Sequence, residues 1–114
     1  MRYSGPLFGS SSDYTNVYTR RFGPGITQQA AGASQAGLLL QLAIEKAGSL
    51  DTGPVRDALK AYEGTTFWGP TKWDNTGKNV GGSSVVFQIQ KGELKTVFPV
   101  EAGTAKPVYP LPQK

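Results

Sequence analysis

The segment from Thr27 to Ala47 constrains this chain more than any other part of it. It contains no Pro, and Gly48 follows it, a residue suited to the left-handed position after a helix. The segment therefore predicts one long helix, starting at Ile26 or Thr27 and ending at Ala47. Ala33, Ala36, Gly37, Leu40, Ala43, Ile44 and Ala47 form one stripe of that helix, and Leu38, Leu39 and Leu42 put bulk on its flanks. More than half of its circumference is apolar. From Ala30 to Gly37 nearly every residue is small, which lets another backbone approach closely, although Gly32 and Gly37 each cost about 1 kcal/mol of helix propensity. A helix of this kind expects a sheet against it, with neighbours on either side.

The other segments supply little that would cover it. Residues 1–10 are broken by Gly5, Pro6 and Gly9 and read as an incoming loop or strand tail. Ser10, Ser11 and Ser12 offer helix N-caps, and Tyr14, Val17, Tyr18 and Phe22 follow at helical spacing until Gly23-Pro24, which predicts a short helix over 12–22 with an aromatic face. Asp51 is placed to cap a third helix whose first turn tolerates Pro54. Val55, Ala58, Leu59 and Tyr62 give it one apolar face, Gly64 ends it, and it should form a hairpin with the long helix. After Gly64 the period changes. Thr65 to Trp68 is β-prone, Gly69-Pro70 breaks it, and Trp73-Asp74-Asn75-Thr76-Gly77 reads as a turn in which the Asp74 carboxylate accepts the amide two residues on. Ser84 to Gln90 alternates, with Val85, Phe87 and Ile89 on one face; Lys91-Gly92 turns the chain, and Leu94 to Val100 returns as the partner strand. Pro107, Pro110 and Pro112 make the tail unfit for a central strand and send it over the surface.

The expected architecture is α/β: three helices followed by short strands and a β-hairpin. It forms a single partial domain, with a helical part over 1–64, a strand part over 65–101 and a proline-rich tail over 102–114. One hairpin and two short helices do not cover the long helix, so a missing sheet is the simplest explanation.

Composition removes most chemistry. The 114 residues include no Cys and no His, which excludes a disulfide scaffold, a thiolate zinc site, a cysteine nucleophile, and the usual general base and metal ligand. Ser10 to Ser12 and Ser83-Ser84 have no partner to activate them, and Gly81-Gly82-Ser83-Ser84 lacks the Lys and the following helix of a phosphate loop. The eight carboxylates fall at helix starts, on polar helix faces and in turns, and even Asp74 reads as structural rather than catalytic. No enzyme, cofactor or metal is expected. The net charge is +4, with the basic residues dispersed from Arg2 to Lys114, so no stripe follows a phosphate backbone and no nucleic-acid partner is expected. The longest apolar run, Leu38 to Leu40, is far short of the ~20 residues that span a bilayer, and the start Met-Arg-Tyr-Ser-Gly-Pro carries no secretory signal. Trp68 and Trp73, on either side of Gly69-Pro70, are expected to close a core edge rather than line a ligand pocket.

Taken in order, Gly37-Leu-Leu-Leu-Gln-Leu-Ala-Ile-Glu-Lys-Ala-Gly-Ser-Leu-Asp51, Val55-Arg-Asp-Ala-Leu59, Thr66-Phe-Trp-Gly-Pro70 with Trp73-Asp74 and Gly77, Gln88-Ile-Gln-Lys-Gly92 and Val108-Tyr-Pro-Leu-Pro112 carry a family resemblance. From about Phe8 to Pro112 the chain resembles the C-terminal third of the type I periplasmic substrate-binding proteins of branched-chain amino acid and amide ABC transporters. The resemblance implies a partial periplasmic-binding-protein-like lobe. It also implies a two-lobed periplasmic receptor that closes on an amino acid, amide or related small acid and presents it to an inner-membrane ABC permease. This chain would supply only a late portion, with most groups that clamp the substrate lying upstream.

An aromatic that members of the family often place at the start of the long helix falls near Gln29 here, and a frequent Tyr falls at Ser34. The free amides at that helix start favour anions, and Gln28 and Gln29 can add hydrogen bonds, so these two glutamines are the candidate ligand-binding residues; the alternative is that both are solvated first-turn residues. A different reading is a stand-alone domain derived from this fold that covers its long helix by forming a homodimer.

Overall fold

A computed structural model describes residues 4–82 and 84–110, which divide into two compact units at the Gly82/Ser83 boundary. The described residues form a mixed helix and sheet protein, with three α-helices and three two-stranded antiparallel sheets. In the first unit a minimal ribbon, β1 (Ser4–Gly5) with β2 (Gly9–Ser10), leads into α1 (Ser11–Phe22). Next come α2 (Gln28–Ala47), α3 (Thr52–Lys60) and a hairpin of β3 (Glu63–Thr66) with β4 (Gly69–Lys72).

The starts of α1 and α2 are each held by a side-chain cap. Ser10 caps α1 through a reciprocal box: its hydroxyl accepts the Asp13 amide at 3.0 Å, and Asp13 Oδ2 accepts the Ser10 amide at 2.8 Å. Thr27 caps α2 by accepting the Ala30 amide at 3.1 Å, and Gly48 ends the helix in the left-handed conformation. Asp51 occupies the cap position of α3, but its carboxylate makes no capping bond; instead its own amide donates to Ser49 Oγ at 3.0 Å. The expectation of an Asp51 side-chain cap is corrected on that point. α3 stops at Lys60, and Gly64 is a strand residue rather than a helix stop. Its Val55 is buried, and the helix packs against α2 as the predicted hairpin.

The first β segment also differs from its sequence reading. Gly69-Pro70 does not break a strand but begins β4, with Thr65 opposite Pro70, and the two-residue connection is Phe67-Trp68. Each strand of a two-stranded sheet is an edge, so the N–H that Pro70 lacks is not missed by a further neighbour. Gly5 is required where β1 meets β3. A Cβ there would collide with the Thr65 carbonyl oxygen and lie 2.6 Å from Thr66 Cα.

The core of this unit is aromatic. Tyr14, Ala31, Leu38 and Phe67 are buried together, with Phe8, Tyr18, Ile26 and Leu42 packed around them. Phe67 stacks on Tyr14 with centroids 4.1 Å apart, and Phe8 meets both rings edge-on at 5.3 Å. Each such pair is worth about 0.5–1.5 kcal/mol beyond the area it buries. The partners reach only one side of α2. Ala31, Gln35, Leu38, Leu39 and Ala43 are buried, whereas Ala33, Ala36, Gly37 and Leu40 are exposed. The first half of the predicted stripe, Ala33 to Leu40, is therefore not the face that packs, because the limited partner surface gains more by covering two adjacent leucines than a row of Ala and Gly; in its second half Ala43 is buried and Ile44 and Ala47 are half-buried, as predicted.

The second unit contains β5 (Val86–Gln90) and β6 (Glu93–Phe98), a short 3₁₀ turn over Val100–Ala102, and the segment that follows. Lys91 and Gly92 both take positive φ, 53° and 79°, as a two-residue hairpin turn of that twist requires. Phe87, Ile89, Leu94 and Phe98 are exposed, and Val97 is the buried hydrophobic residue of the pair. The tail from Ala102 to Pro110 forms no strand, as its prolines require.

Candidate functional site

The start of α2 is positioned by two contacts. Thr27 fixes the first turn through its bonds to the Ala30 and Ala31 amides, and Ile26 packs into the aromatic core. Helix geometry leaves the amides of Gln28 and Gln29 without acceptors inside α2, and both side chains are exposed. The structure brings these two predicted residues together on one solvent-facing helical turn. Neither borders the open depression of about 250 Å³ on the first unit, which is lined by Ser11, Ser12, Thr15 and Asn16. What the turn offers chemically is two free N–H groups, two carboxamides and the positive end of a 20-residue helix, a set that suits a carboxylate or an amide rather than a cation.

One turn further on, a polar network runs into the core. Ser34 Oγ lies 3.0 Å from the Tyr14 hydroxyl and donates to the Ala30 carbonyl at 3.1 Å. Gln35 is buried; its Oε1 accepts the Thr66 hydroxyl at 2.7 Å and its Nε2 donates to Thr71 Oγ1 at 3.2 Å. Thr66 Oγ1 in turn accepts the Trp68 amide at 3.2 Å, and Ser11 Oγ donates to the Phe67 carbonyl. These bonds pin the Phe67-Trp68 turn to α2 from one side and to α1 from the other. Sequence reasoning missed Gln35, Thr66 and Thr71. Gln35 lies four residues after Ala31 and three before Leu38, but that spacing points inward only once the packed face is known, and partners more than 30 residues away set that face.

The tryptophans separate. Trp68, at the hairpin tip, is 41% exposed and closes no core edge, which corrects that expectation; Trp73 is half-buried, with its indole Nε1 shielded and meeting no acceptor among the described residues. Asp74 behaves as the turn former the sequence predicts. Its Oδ1 accepts the Thr76 hydroxyl at 2.6 Å and the Thr76 and Lys78 amides at 2.8 and 3.0 Å. Chiefly the Thr76 hydroxyl, then the Lys78 amide, hold the Asp74 carboxyl below the ordinary range. The Ser10 hydroxyl and then the Ser10 amide do the same for Asp13.

Among the described residues no group of three or more His, Cys, Asp or Glu is arranged to hold a metal ion, and no helix is long and apolar enough to cross a membrane. No family model matches the chain, and no solved structure matches it.

Proposed function

We propose that this chain is a late portion of an extracytoplasmic solute-binding protein that takes up an amino acid, amide or related small acid and delivers it to an ABC permease. In the finer fold that goes with this reading, α2 lies on the parallel sheet of a periplasmic-binding-protein lobe contributed by sequence outside these 114 residues. The observation that carries the proposal is the open flank of α2. Ala33, Ala36, Gly37 and Leu40 are exposed on a helix whose opposite flank is buried, and small side chains there admit close approach of a sheet. The resemblance carried in order by the segments from Gly37 to Pro112 favours the same reading.

In this account Gln28 and Gln29, at the edge of the cleft, receive the carboxylate or carboxamide of the ligand, helped by the helix N-terminus. Closure is a hinge movement that the ligand stabilises by contacts made only in the closed state. The chain alone closes on nothing. Titration calorimetry against a panel of amino acids, amides and aromatic acids is expected to show no micromolar binding by the isolated chain. DNA upstream of the Met1 codon is expected to continue in frame through an earlier lobe to a leader peptide. Micromolar binding, or an in-frame stop immediately upstream, would contradict the proposal.

The same exposed flank also favours a second reading, in which the chain stands alone and pairs with a second copy through α2. Sedimentation equilibrium separates the two, since a monodisperse dimer that is disrupted by Ala36→Glu belongs to the second reading only.

A further inference from the structure

A separate site, independent of the receptor reading, lies on the second unit. Gln88 and Gln90 are two apart on β5 and project to one face of the hairpin, where Lys106 and Val108 lie against them. The Gln88 carboxamide pairs with Val108 as a strand residue would: Nε2 donates to the Val108 carbonyl at 2.9 Å, and Oε1 accepts the Val108 amide at 2.9 Å. Gln90 Nε2 donates to the Lys106 carbonyl at 2.8 Å and to Gln88 Oε1 at 2.7 Å, which orients both amides. At the start of the segment, the Thr104 amide donates to the Thr96 carbonyl at 2.8 Å, and the Thr96 amide donates to Thr104 Oγ1 at 3.1 Å.

These contacts read main chain, not side chains. They fall on alternate residues, Lys106 and Val108, so an intervening Pro107 loses no bond, and its fixed φ lowers the entropy of ordering the segment. The segment buries little in return. Val108 and Tyr109 are 42% and 93% exposed, and a hollow of about 260 Å³ opens beside residues 103–107. A segment held by a few exposed hydrogen bonds and little apolar burial belongs to the low end of local stability and opens readily.

The geometry points to the Gln88/Gln90 face as a docking site for an extended, proline-punctuated peptide, filled here by the chain's own residues 104–110 and able to accept the same segment from a second copy. In one chain the tether supplies a local concentration in the millimolar range, so the intramolecular segment wins until it is released.

The test uses the full chain and a fluorescent peptide of residues 104–110. Val108→Pro removes the amide that Gln88 accepts and strains the segment at that point, and with Thr104→Pro, which removes the amide bonded to the Thr96 carbonyl, it loosens the chain's own segment while leaving the glutamines in place. The labelled peptide is expected to bind this doubly substituted chain at least about 10-fold more tightly than the wild-type chain, whose own segment competes. Adding Gln88→Ala and Gln90→Ala should abolish that binding. In hydrogen exchange on the wild-type chain, the Val108 amide should be protected, and Gln88→Ala alone should remove the protection. Peptide binding that survives loss of both glutamines, no binding to the doubly substituted chain at millimolar concentration, or an unprotected Val108 amide in the wild type would each overturn the proposal.

Discussion

The two flanks of α2 are built from neighbouring residues of one helix and have opposite fates. Ala31 and Leu38 turn toward the aromatic core, Gln35 toward the β3–β4 hairpin, and Leu39 is buried beside them, while Ala33, Ala36, Gly37 and Leu40 turn to solvent. The buried flank is bulky and includes a glutamine whose amide is satisfied on both sides; the open flank is small and apolar and has nothing to satisfy. The difference teaches that hydrophobicity alone does not choose a buried face. With limited partner surface, the face offering the most area per residue is covered first.

Substitutions on the two flanks should differ sharply. On the buried side, Phe67→Ala removes a ring stacked on Tyr14 and met edge-on by Phe8, and Leu38→Ala empties the site beside it. Costs of about 3–5 and 2–5 kcal/mol are expected, read from urea denaturation of the whole chain. Gly5→Ala should cost less, roughly 1–3 kcal/mol, because β1 must retreat from β3 to make room. Gln35→Leu leaves the Thr66 and Thr71 hydroxyls to find other partners in a dry site, and about 1–3 kcal/mol is expected by the same measurement. Leu40→Ala on the open side should fall within about 0.5 kcal/mol of wild type. A Leu40→Ala cost equal to that of Leu38→Ala would erase the distinction between the flanks.

How far the sequence anticipates this arrangement depends on the kind of signal. Local grammar reads well. The serine run that caps α1, the left-handed Gly48, the Asp74 turn and the Lys91-Gly92 hairpin each rest on a few adjacent residues with strong backbone preferences; the structure narrows the serines to Ser10 and makes Thr27 the cap of α2. Phase and partnership read poorly. The α2 pattern is apolar over so much of its surface that no periodicity selects Leu38 over Leu40; the choice is made by Tyr14 and Phe67, which are 24 and 29 residues away along the chain. Gly69-Pro70 looks like a break because proline is judged against a central strand, and the sequence does not announce that both strands of this sheet are edges. Of the candidate site, the position of Gln28 and Gln29 in the first turn of α2 was legible from the expected helix start at Ile26 or Thr27. The buried Gln35, Thr66 and Thr71 network was not, since each bond joins residues more than 30 apart in sequence.

The smallest effect concerns acid. The folded-state carboxyls of Asp13 and Asp74 titrate below their ordinary value of 3.8, so their bonds stabilise the fold fully above that value and are lost as the pH falls below it toward the lowered folded values. The α1 cap and the 74–78 turn should hold unchanged from neutral pH down to about 4 and loosen only in stronger acid, as reported by exchange of the Thr76 and Asp13 amides. Asp74→Asn should remove that acid-dependent step for Thr76 without touching Asp13. Loosening of both turns already at pH 6 would contradict the geometry.

The open flank itself is tested most directly by thiol labelling, because the chain has no Cys of its own. Ala31→Cys and Ala36→Cys place one thiol on each side of the same half of α2, and the rate of modification by a small reagent reads burial at each. The account predicts that position 36 in a dilute sample reacts nearly as fast as an unfolded peptide, while position 31 is protected by at least about 10-fold. Equal protection at both positions, unchanged on dilution, would show α2 enclosed by the chain itself and would contradict the account.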